Sequence, residues 1–237
     1  MEFDGPLLPG RLIRRYKRFL ADVELDGGGQ VTCHCPNTGA MLGCAAPGLR
    51  VWLSPSHNPR RRLAFTWEQV ETETGVRVGI HTGRANALVA EALAGGLPAA
   101  LAGWSVAARE VNVPQQSMRA DFLLAGPGST GNAYLEVKNV TAAVTDEVAL
   151  FPDAVSSRGA RHLEVLGRLA SQGVAALLVY CVQRGDVSAV RPAAEIDPAY
   201  VRALDRAREQ GLRVFALRGA PSDRGMVLDT EVPALEA

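Results

Sequence analysis

Three charged residues near the middle of the chain have the types and the spacing of a phosphodiester-cleaving site. Asp121 is followed, fifteen residues later, by Glu136-Val137-Lys138. An acid, a spacer, a second acid and then a lysine two positions on is the arrangement that metal-dependent nucleases use. The chain has only two lysines against twenty-three arginines, which indicates that a retained lysine does something arginine cannot. Lysine is a compact ammonium whose pKa shifts readily on burial, so it can orient or deprotonate an attacking water.

The residues between these charges predict a hairpin that brings them together. If residues 120–125 and 132–137 pair as antiparallel strands around the glycine-rich loop 126–131, the numbers of opposite residues sum to 257. Asp121 then lies opposite Glu136, and Lys138 projects from the same face because side chains alternate along a strand. Two carboxylates at one place repel each other unless a cation compensates them.

Mg²⁺ (or Mn²⁺) is the expected compensation, because Mg²⁺ is usually held by one or two carboxylates together with substrate phosphate oxygens. Such a cation acidifies water and stabilises charge that develops on the phosphate. A third acid often completes these sites, and Glu91 on a predicted helix is the candidate. We expect Asp121, Glu136 and Lys138 to be catalytic, with the two acids and Glu91 as metal ligands. The alternative is a surface strand on which Glu136 and Lys138 pair in solvent.

The first eighty residues have the pattern of a small β-barrel. Apolar residues alternate with polar ones in five short runs, and turns rich in glycine and proline separate the runs. A five-stranded barrel of the OB type is the first expectation, and an SH3-like barrel is the second. The runs lie at 19–25, 31–35, 51–53, 63–67 and 76–80.

From Thr82 the pattern changes to helices and strands in the order α-β-β-β-α-β-α-β, which predicts a mixed sheet with helices on its faces. The domains are therefore expected at 1–82 and 83–237. A helix from about residue 156 to 172 ends at Gly173, with Asp153 as its expected cap. Helices are also predicted at 86–93 and 198–210, and strands at 104–113, 120–124, 133–140, 175–182 and 212–217.

The composition predicts a soluble globular protein, since 47% of the residues are hydrophobic and 21% are charged. No stretch approaches the ~20 apolar residues that span a bilayer. The start of the chain is acidic and lacks the apolar run of a secretory signal, so a cytoplasmic location is expected.

Cys33 and Cys35 flank His34, a pattern that could hold zinc, but the finger spacing is lacking. Buried free thiols are favoured.

The net charge is zero, but its distribution is uneven. Residues 11–62 carry nine basic and three acidic side chains, which leaves +6 in this window and −6 elsewhere. Such a surface can face a polyanion, and aromatic residues within it can stack on bases. The alternative is an ordinary barrel surface with its arginines in water. The predicted nucleic-acid-binding residues are Arg14, Arg15, Lys17, Arg18, Phe19, Arg60, Arg61 and Arg62.

Several long motifs in this order closely resemble the sugar fermentation stimulation protein A (SfsA) family of prokaryotes over nearly the whole chain. They are residues 15–23 (RYKRFLADV), 34–41 (HCPNTGAM), 119–124 (RADFLL), 136–138 (EVK), 151–154 (FPDA) and 158–163 (RGARHL). The resemblance implies an N-terminal OB-like domain and a C-terminal domain of the PD-(D/E)xK nuclease fold. The family is described as DNA-binding, with a proposed regulatory role in sugar utilisation.

Carried onto this sequence, the nuclease-fold pattern falls on Asp121, Glu136 and Lys138, with Glu91 as the acid on the helix. Gln183 matches a polar position often found near such a site. Ala120 and Asn139 stand where an isoleucine and a serine are expected in relatives, and both changes leave the charged groups intact.

Arg158 and His162 share a helix face by their i, i+4 spacing, so they are further candidates for phosphate contact or proton transfer. A purely structural histidine is the alternative.

Taken together, these patterns predict a protein that binds nucleic acid, DNA in preference to RNA, with a Mg²⁺-dependent nuclease site. Two other functions stay open: a non-enzymatic DNA-binding regulator of sugar metabolism that retains a nuclease scaffold, and an RNA- or protein-binding barrel fused to an unrelated domain.

Overall fold

The computed structural model describes residues 1–128, 131–144 and 147–236, apart from the side chain of Val144, and contains a β-barrel followed by a mixed α/β domain. Two residues of the predicted hairpin loop, Ser129 and Thr130, and the last residue of the predicted second domain, Ala237, lie outside the described residues. None of the helices in the described part of the chain combines the length and the apolar content needed to cross a bilayer.

The N-terminal domain is a closed five-stranded barrel with one added strand. Its strands are β1 (Leu8–Tyr16), β2 (Leu20–Leu25), β3 (Gln30–His34), β4 (Arg50–Pro55), β5 (Phe65–Glu71) and β6 (Arg77–Gly79). The sheet order is β3-β2-β1-β4-β5-β6, and a parallel pairing of β3 with β5 closes the ring. The prediction of a five-stranded OB-like barrel is confirmed.

The predicted set of ring strands was wrong by one member, because β1 belongs to the ring and β6 lies outside it. The register of β1 against β2 shifts between Leu12 and Arg14, which places a bulge at this point. A bulge interrupts the two-residue alternation of side chains, so β1 lacks the pattern by which strands are recognised in a sequence.

The barrel core confirms the prediction of buried free thiols. Cys33, Cys35 and Cys44 are free and buried, and they pack with Trp67 and the apolar side chains of the ring strands. Burial raises the pKa of Cys33 to about 12 and that of Cys44 to about 11. Cys33 and Cys44 therefore stay protonated, and all three cysteines serve as small apolar core residues.

The second domain is built on a six-stranded mixed sheet. Its elements are α1 (Ala85–Ala94), β7 (Ser105–Asn112), β8 (Arg119–Ala125), β9 (Asn132–Val140), β10 (Ala143–Val144), β11 (Val148–Phe151), α2 (Ser157–Ser171), β12 (Ala175–Val182), β13 (Ala189–Pro192), α3 (Pro198–Glu209), β14 (Arg213–Arg218) and β15 (Thr230–Val232). The sheet order is β15-β14-β12-β9-β8-β7. β12 pairs in parallel with β9 and β14, and antiparallel strands continue the sheet on either side.

Helices cover both faces of this sheet, as predicted. α1 packs with Phe122 and Leu135 on one face, whereas α2 and α3 pack with Leu178 and Tyr180 on the other. The predicted order of helices and longer strands is confirmed. Four short strands of two to four residues were not predicted, namely β10, β11, β13 and β15. Runs this short carry no periodicity that a sequence could reveal.

Helix α2 begins at a serine cap. Ser156 Oγ accepts the N–H of Gly159 at 3.1 Å. The expectation that Asp153 caps this helix was wrong, because its carboxylate accepts the backbone N–H of Met41 in the barrel at 2.9 Å. Asp153 therefore ties the two domains together.

We expect Ser156→Ala to lower the free energy of unfolding by about 1 kcal/mol, because it leaves an N–H of the first turn of α2 without its partner. Chemical denaturation monitored by circular dichroism would measure the loss. Ser171→Ala, at the exposed C-terminal end of the same helix, is the matched control and should cost clearly less. Equal losses in the two variants would contradict the capping role.

Candidate functional site

The predicted hairpin register is present in the structure. β8 and β9 pair as Phe122 with Leu135, Leu123 with Tyr134, Leu124 with Ala133 and Ala125 with Asn132, and each pair of numbers sums to 257. Just beyond the last pair, the Asp121 side chain binds β9 itself: its Oδ2 accepts the backbone N–H of Val137 at 2.7 Å. Asp121 is thereby fixed beside the Glu136–Lys138 segment.

Glu136 is the centre of the group. It is only 5% exposed. Its Oε1 accepts from Lys138 Nζ at 2.6 Å and lies 2.7 Å from His162 Nδ1. Its Oε2 is also buried, but within the described residues it has no hydrogen-bond partner. One carboxylate oxygen is therefore doubly bound while the other has a free acceptor site.

The two acids are electrostatically coupled and shifted in opposite directions. Burial, followed by the negative charge of Glu136, raises the pKa of Asp121 against the opposing hydrogen bonds of Val137 and Asn86. Burial alone would raise the pKa of Glu136 as well, but its bond to His162 and the charge of Lys138 outweigh that effect and lower it. Paired carboxylates with pKa values driven apart are a common feature of catalytic sites.

His162 connects this group to α2, which places Arg158 and His162 on one helix face as predicted. Arg158 Nε donates to His162 Nε2 at 3.3 Å. Because Nε2 accepts, the ring proton lies on Nδ1 and is donated to Glu136. The histidine is 6% exposed, so its orientation is fixed by both bonds and by the surrounding protein.

The expectation that Glu91 is a third metal ligand was wrong. Glu91 is about half exposed, and its carboxylate binds the ammonium of Met1 at 2.5 Å. The side chain that α1 does bring to the site is Asn86, whose Nδ2 donates to Asp121 Oδ1 at 2.9 Å. Asn86 and Glu91 are five residues apart, about 140° around the helix, so they cannot face the same site.

Sequence reasoning missed Asn86 because it searched α1 for a second carboxylate and not for an amide. The signal was its position in the first turn of a helix that precedes the acidic strands. In the described part of the chain, no three side chains of the Asp, Glu, His or Cys type are grouped as a metal cage.

Gln183 is buried but does not contact the Glu136–Lys138 group. Its amide donates to Asn139 Oδ1 and, at 3.3 Å, to the carbonyl of His81. Asn139 follows Lys138 directly in β9, so the two side chains point to opposite faces of the sheet. Gln183 therefore lies on the other face and links the second domain to the end of the barrel, which corrects the expectation that it lies near the site.

The basic residues predicted on the barrel divide into two groups. Arg14 pairs with Asp22 at 2.8 Å. Arg15 and Arg18 donate to backbone carbonyls of the loop formed by residues 37–39. These three side chains therefore have structural partners, which explains their presence without a ligand.

The second group lies at the tip of the β1–β2 hairpin and on the loop between β4 and β5. At the tip, Lys17 and its neighbour Arg18, whose side chain belongs to the first group, adopt left-handed backbone with φ of 49° and 66°. Phe19, beside them, is 47% exposed. The remaining predicted residues, Arg60, Arg61 and Arg62, are exposed on the loop between β4 and β5.

A cavity of about 330 Å³, here termed the basic cavity, opens beside His162. Three arginines and His162 line it, together with Asn112 at the end of β7 and three residues that precede β8. The lining residues are Asn112, Gln116, Ser117, Met118, Arg119, Arg158, Arg161 and His162.

Comparison with protein families gives two matches that together span most of the chain. Residues 13–80 match the SfsA N-terminal OB domain, and residues 83–225 match the sugar fermentation stimulation protein RE domain.

Similar proteins cover nearly the whole chain. A sugar fermentation stimulation protein homolog of Alkalilimnicola ehrlichii is 59% identical over 235 residues, which is 98% of each chain. The homolog of Halorhodospira halophila is 56% identical over 98% of this chain and 97% of its own. The solved structure described as Pyrococcus furiosus SfsA in complex with Ca²⁺ is 25% identical, has a TM-score of 0.89, and covers 99% of this chain and 98% of its own.

Proposed function

The chain belongs to the sugar fermentation stimulation protein family, and from this premise we propose that it is a DNA-binding protein whose second domain hydrolyses phosphodiester bonds with the help of a divalent cation. The catalytic residues are Asp121, Glu136 and Lys138, and the cation is Mg²⁺ or Mn²⁺. The observation that carries the proposal is Glu136. A buried carboxylate that shares one oxygen between a lysine and a histidine, and leaves the other unpaired beside a second acid, fits a cation-binding site.

The donor set suits a hard divalent cation. Glu136 Oε2 offers a free acceptor within the described residues, and Asp121 is near enough for the charge of Glu136 to raise its pKa. A cation held by these two residues would take up the free acceptor of Glu136 and would reduce the repulsion that raises the pKa of Asp121. Two carboxylates, and not a complete protein cage, are what Mg²⁺ uses when substrate phosphate oxygens supply further ligands. The relative from Pyrococcus furiosus is described in complex with Ca²⁺, another cation that takes oxygen ligands.

When bound, such a cation stabilises negative charge on the phosphate and makes nearby water more acidic. The residues of the chain supply the rest. Lys138 Nζ, bonded to Glu136, is placed to orient an attacking water or to neutralise the phosphate as it becomes pentacoordinate. His162 fixes Glu136 through Oε1, and Val137 and Asn86 fix Asp121. Fixed charges of this kind need no reorganisation as the reaction proceeds.

DNA binding is proposed for the exposed basic and aromatic residues of the barrel. Lys17 and Phe19 project from the hairpin tip, and the arginines at positions 60–62 are exposed on a loop. A left-handed backbone is unfavourable for non-glycine residues, so its presence at both Lys17 and Arg18 favours a tip that is shaped for contact. Cationic side chains would bind phosphates, and the phenyl ring would stack on a base.

Cation binding gives a direct test of the site. We expect Mg²⁺ or Mn²⁺ at ten times its Kd to raise the Tm by roughly 3–6 °C, which corresponds to about 1.4 kcal/mol for a protein of this size. Glu136→Gln should abolish this shift, because it removes the charge and the free carboxylate acceptor. Differential scanning calorimetry, with isothermal titration of the same samples, would measure both effects.

Glu164→Gln is the matched control, since Glu164 is exposed on α2 and is not part of the site. It should keep the full cation-dependent shift. An identical shift in both variants would remove the support for a cation at Glu136. A cation that binds without any cleavage of DNA or RNA would instead favour a DNA-binding regulator on a nuclease scaffold.

A further inference from the structure

The basic cavity beside His162 has the composition of an anion site. Its lining includes the guanidinium groups of Arg119, Arg158 and Arg161 and no acidic side chain. Arg119 is paired with Glu110 at 2.7 Å, so its charge is largely offset. Arg158 donates to a ring nitrogen of His162 and not to a carboxylate, and the Arg161 side chain makes no hydrogen bond or ion pair with any other described residue. Two uncompensated positive charges therefore face the cavity.

The position of these arginines on α2 runs against helix electrostatics. Arg158 and Arg161 are the second and fifth residues of the helix, and its first turn contains no acid. The N-terminus of a helix carries partial positive charge, so aspartate or glutamate is stabilising there and arginine is not. A chain that places cations at this end gives up helix stability. An anion in the cavity would be attracted both by the arginines and by the partial positive charge of the helix end.

The cavity is directly connected to the proposed catalytic group. His162 lines it, accepts from Arg158 at 3.3 Å, and binds Glu136 at 2.7 Å through its other ring nitrogen. An anion held by Arg158 and Arg161 would thus be separated from Glu136 only by the side chain of His162. The volume of about 330 Å³ is at the lower end for small-molecule sites, which suits a single nucleotide unit.

We propose that the basic cavity binds a phosphate group of the nucleic acid strand next to the bond that is cleaved, with Arg161 as its principal ligand. This assignment rests on the proposed function, because it takes its substrate class from that site. The phosphate has two possible sources, an internal phosphodiester of the strand and a phosphomonoester at a 5′ end. Both present the same anionic oxygens to the arginines.

Binding of short oligonucleotides to the full chain in EDTA tests this assignment without any hydrolysis. Two 3′-labelled single strands of the same sequence, one with a 5′-hydroxyl and one with a 5′-phosphate, would be titrated by fluorescence anisotropy between about 50 and 200 mM salt. We expect Arg161→Ala to weaken binding roughly 3- to 10-fold. We also expect it to lower the slope of log affinity against log salt by about 0.7, the value for one lost phosphate contact on a single strand.

The matched control is Arg202→Ala, an exposed arginine of α3 that does not line the cavity. It should leave affinity and salt slope at the wild-type values. A loss in Arg161→Ala for both oligonucleotides assigns the cavity to an internal phosphodiester, and a loss confined to the 5′-phosphorylated strand assigns it to a terminal phosphate. Unchanged affinity and slope for both strands would overturn the proposal. The Tm of Arg161→Ala should be equal to or above that of the wild type, which excludes misfolding as the cause.

The outcomes separate this inference from the proposed function. If Arg161→Ala loses binding in EDTA while the wild type cleaves nothing with Mg²⁺ or Mn²⁺, the phosphate site stands and the hydrolase is wrong. If the wild type cleaves but Arg161→Ala binds both strands normally, the hydrolase stands and the phosphate site is wrong.

Discussion

Lys138→Ala is expected to lower the rate of Mg²⁺-dependent cleavage by at least about 10²–10³-fold, the cost of removing one preorganised charge donor from an active site. The Lys138 side chain is 14% exposed and its ammonium is bonded to Glu136 at 2.6 Å, so a cation from the solvent cannot take the same position in the alanine variant. Affinity for DNA in EDTA should stay close to that of the wild type. Single-turnover cleavage of labelled DNA would measure the rate, and circular dichroism would verify the fold.

Lys138→Arg separates two roles of the same residue. It keeps the positive charge but replaces an ammonium that can exchange a proton by a guanidinium that cannot. If the lysine orients or deprotonates water, the arginine variant should be nearly as slow as the alanine variant. Wild-type rates in both variants would exclude Lys138 from the chemistry. Failure of the wild type on single-stranded, double-stranded and structured DNA and RNA would favour the regulatory alternative.

Sequence patterns were sufficient to predict those parts of the fold that depend on residues close together in the chain. The β8–β9 register followed from the length of the connecting loop and the alternation around it, and every described pair agrees. β12 was predicted with the bounds that the structure has, because a fully buried central strand is one continuous apolar run. These features are local, so a periodic pattern contains the information that specifies them.

The same patterns do not reveal partners that a distant part of the chain supplies. Arg15 and Arg18 were predicted to bind nucleic acid, which stays a prediction, and no pattern indicated that they also donate to carbonyls of a loop about twenty residues away. The ammonium of Met1 binds Glu91, and a single stretch of sequence gives no sign of that partner. Long-range pairing is decided by tertiary packing, which determines what each charge meets.

The candidate site was predictable in its strand-borne part and not in its helix-borne part. Glu136 and Lys138 share a face because they are two residues apart on one strand, a relation that needs no tertiary information. Asn86 and His162 reach the same place from helices on opposite faces of the sheet. For His162 the i, i+4 relation to Arg158 indicated a shared face, but only packing shows that this face meets Glu136.

A buried ion pair between the domains gives the second large effect. Glu68, in the barrel strand β5, is 2% exposed, and both of its oxygens bind Arg84, just before α1, at 2.7 Å. Ser54 adds a third bond at 2.7 Å. Burial alone would raise the pKa of Glu68, but the hydrogen bonds and charge of Arg84 together with the charge of His81 lower it. The carboxylate is therefore held ionised inside the protein by its partner.

Arg84→Met should lower the free energy of unfolding by about 3–5 kcal/mol at neutral pH, because it leaves a buried carboxylate without its cation. For a chain of this length the Tm should fall by roughly 6–20 °C. The double variant Glu68→Leu with Arg84→Met should recover most of this loss, since an apolar pair replaces the ions without an unpaired charge. Urea denaturation of the three proteins would measure the differences. A single variant as stable as the wild type would show that the pair does not hold the domains together.

The pH dependence gives the sharper form of this prediction. In the wild type the folded pKa of Glu68 lies below its ordinary value of 4.5, so its contribution is complete above that pH and is lost as the pH falls through the lowered value. In Arg84→Met, burial acts without the arginine and raises the folded pKa, so protonation relieves the buried charge and the variant gains stability in acid. The gap between the two proteins should therefore be widest near pH 7. It should begin to close as the pH falls through the raised pKa of the variant, above 4.5, and continue to close below 4.5 as the wild type loses its own contribution. A gap of constant size between pH 7 and pH 3 would mean that the loss comes from packing of the Arg84 side chain and not from the charge on Glu68.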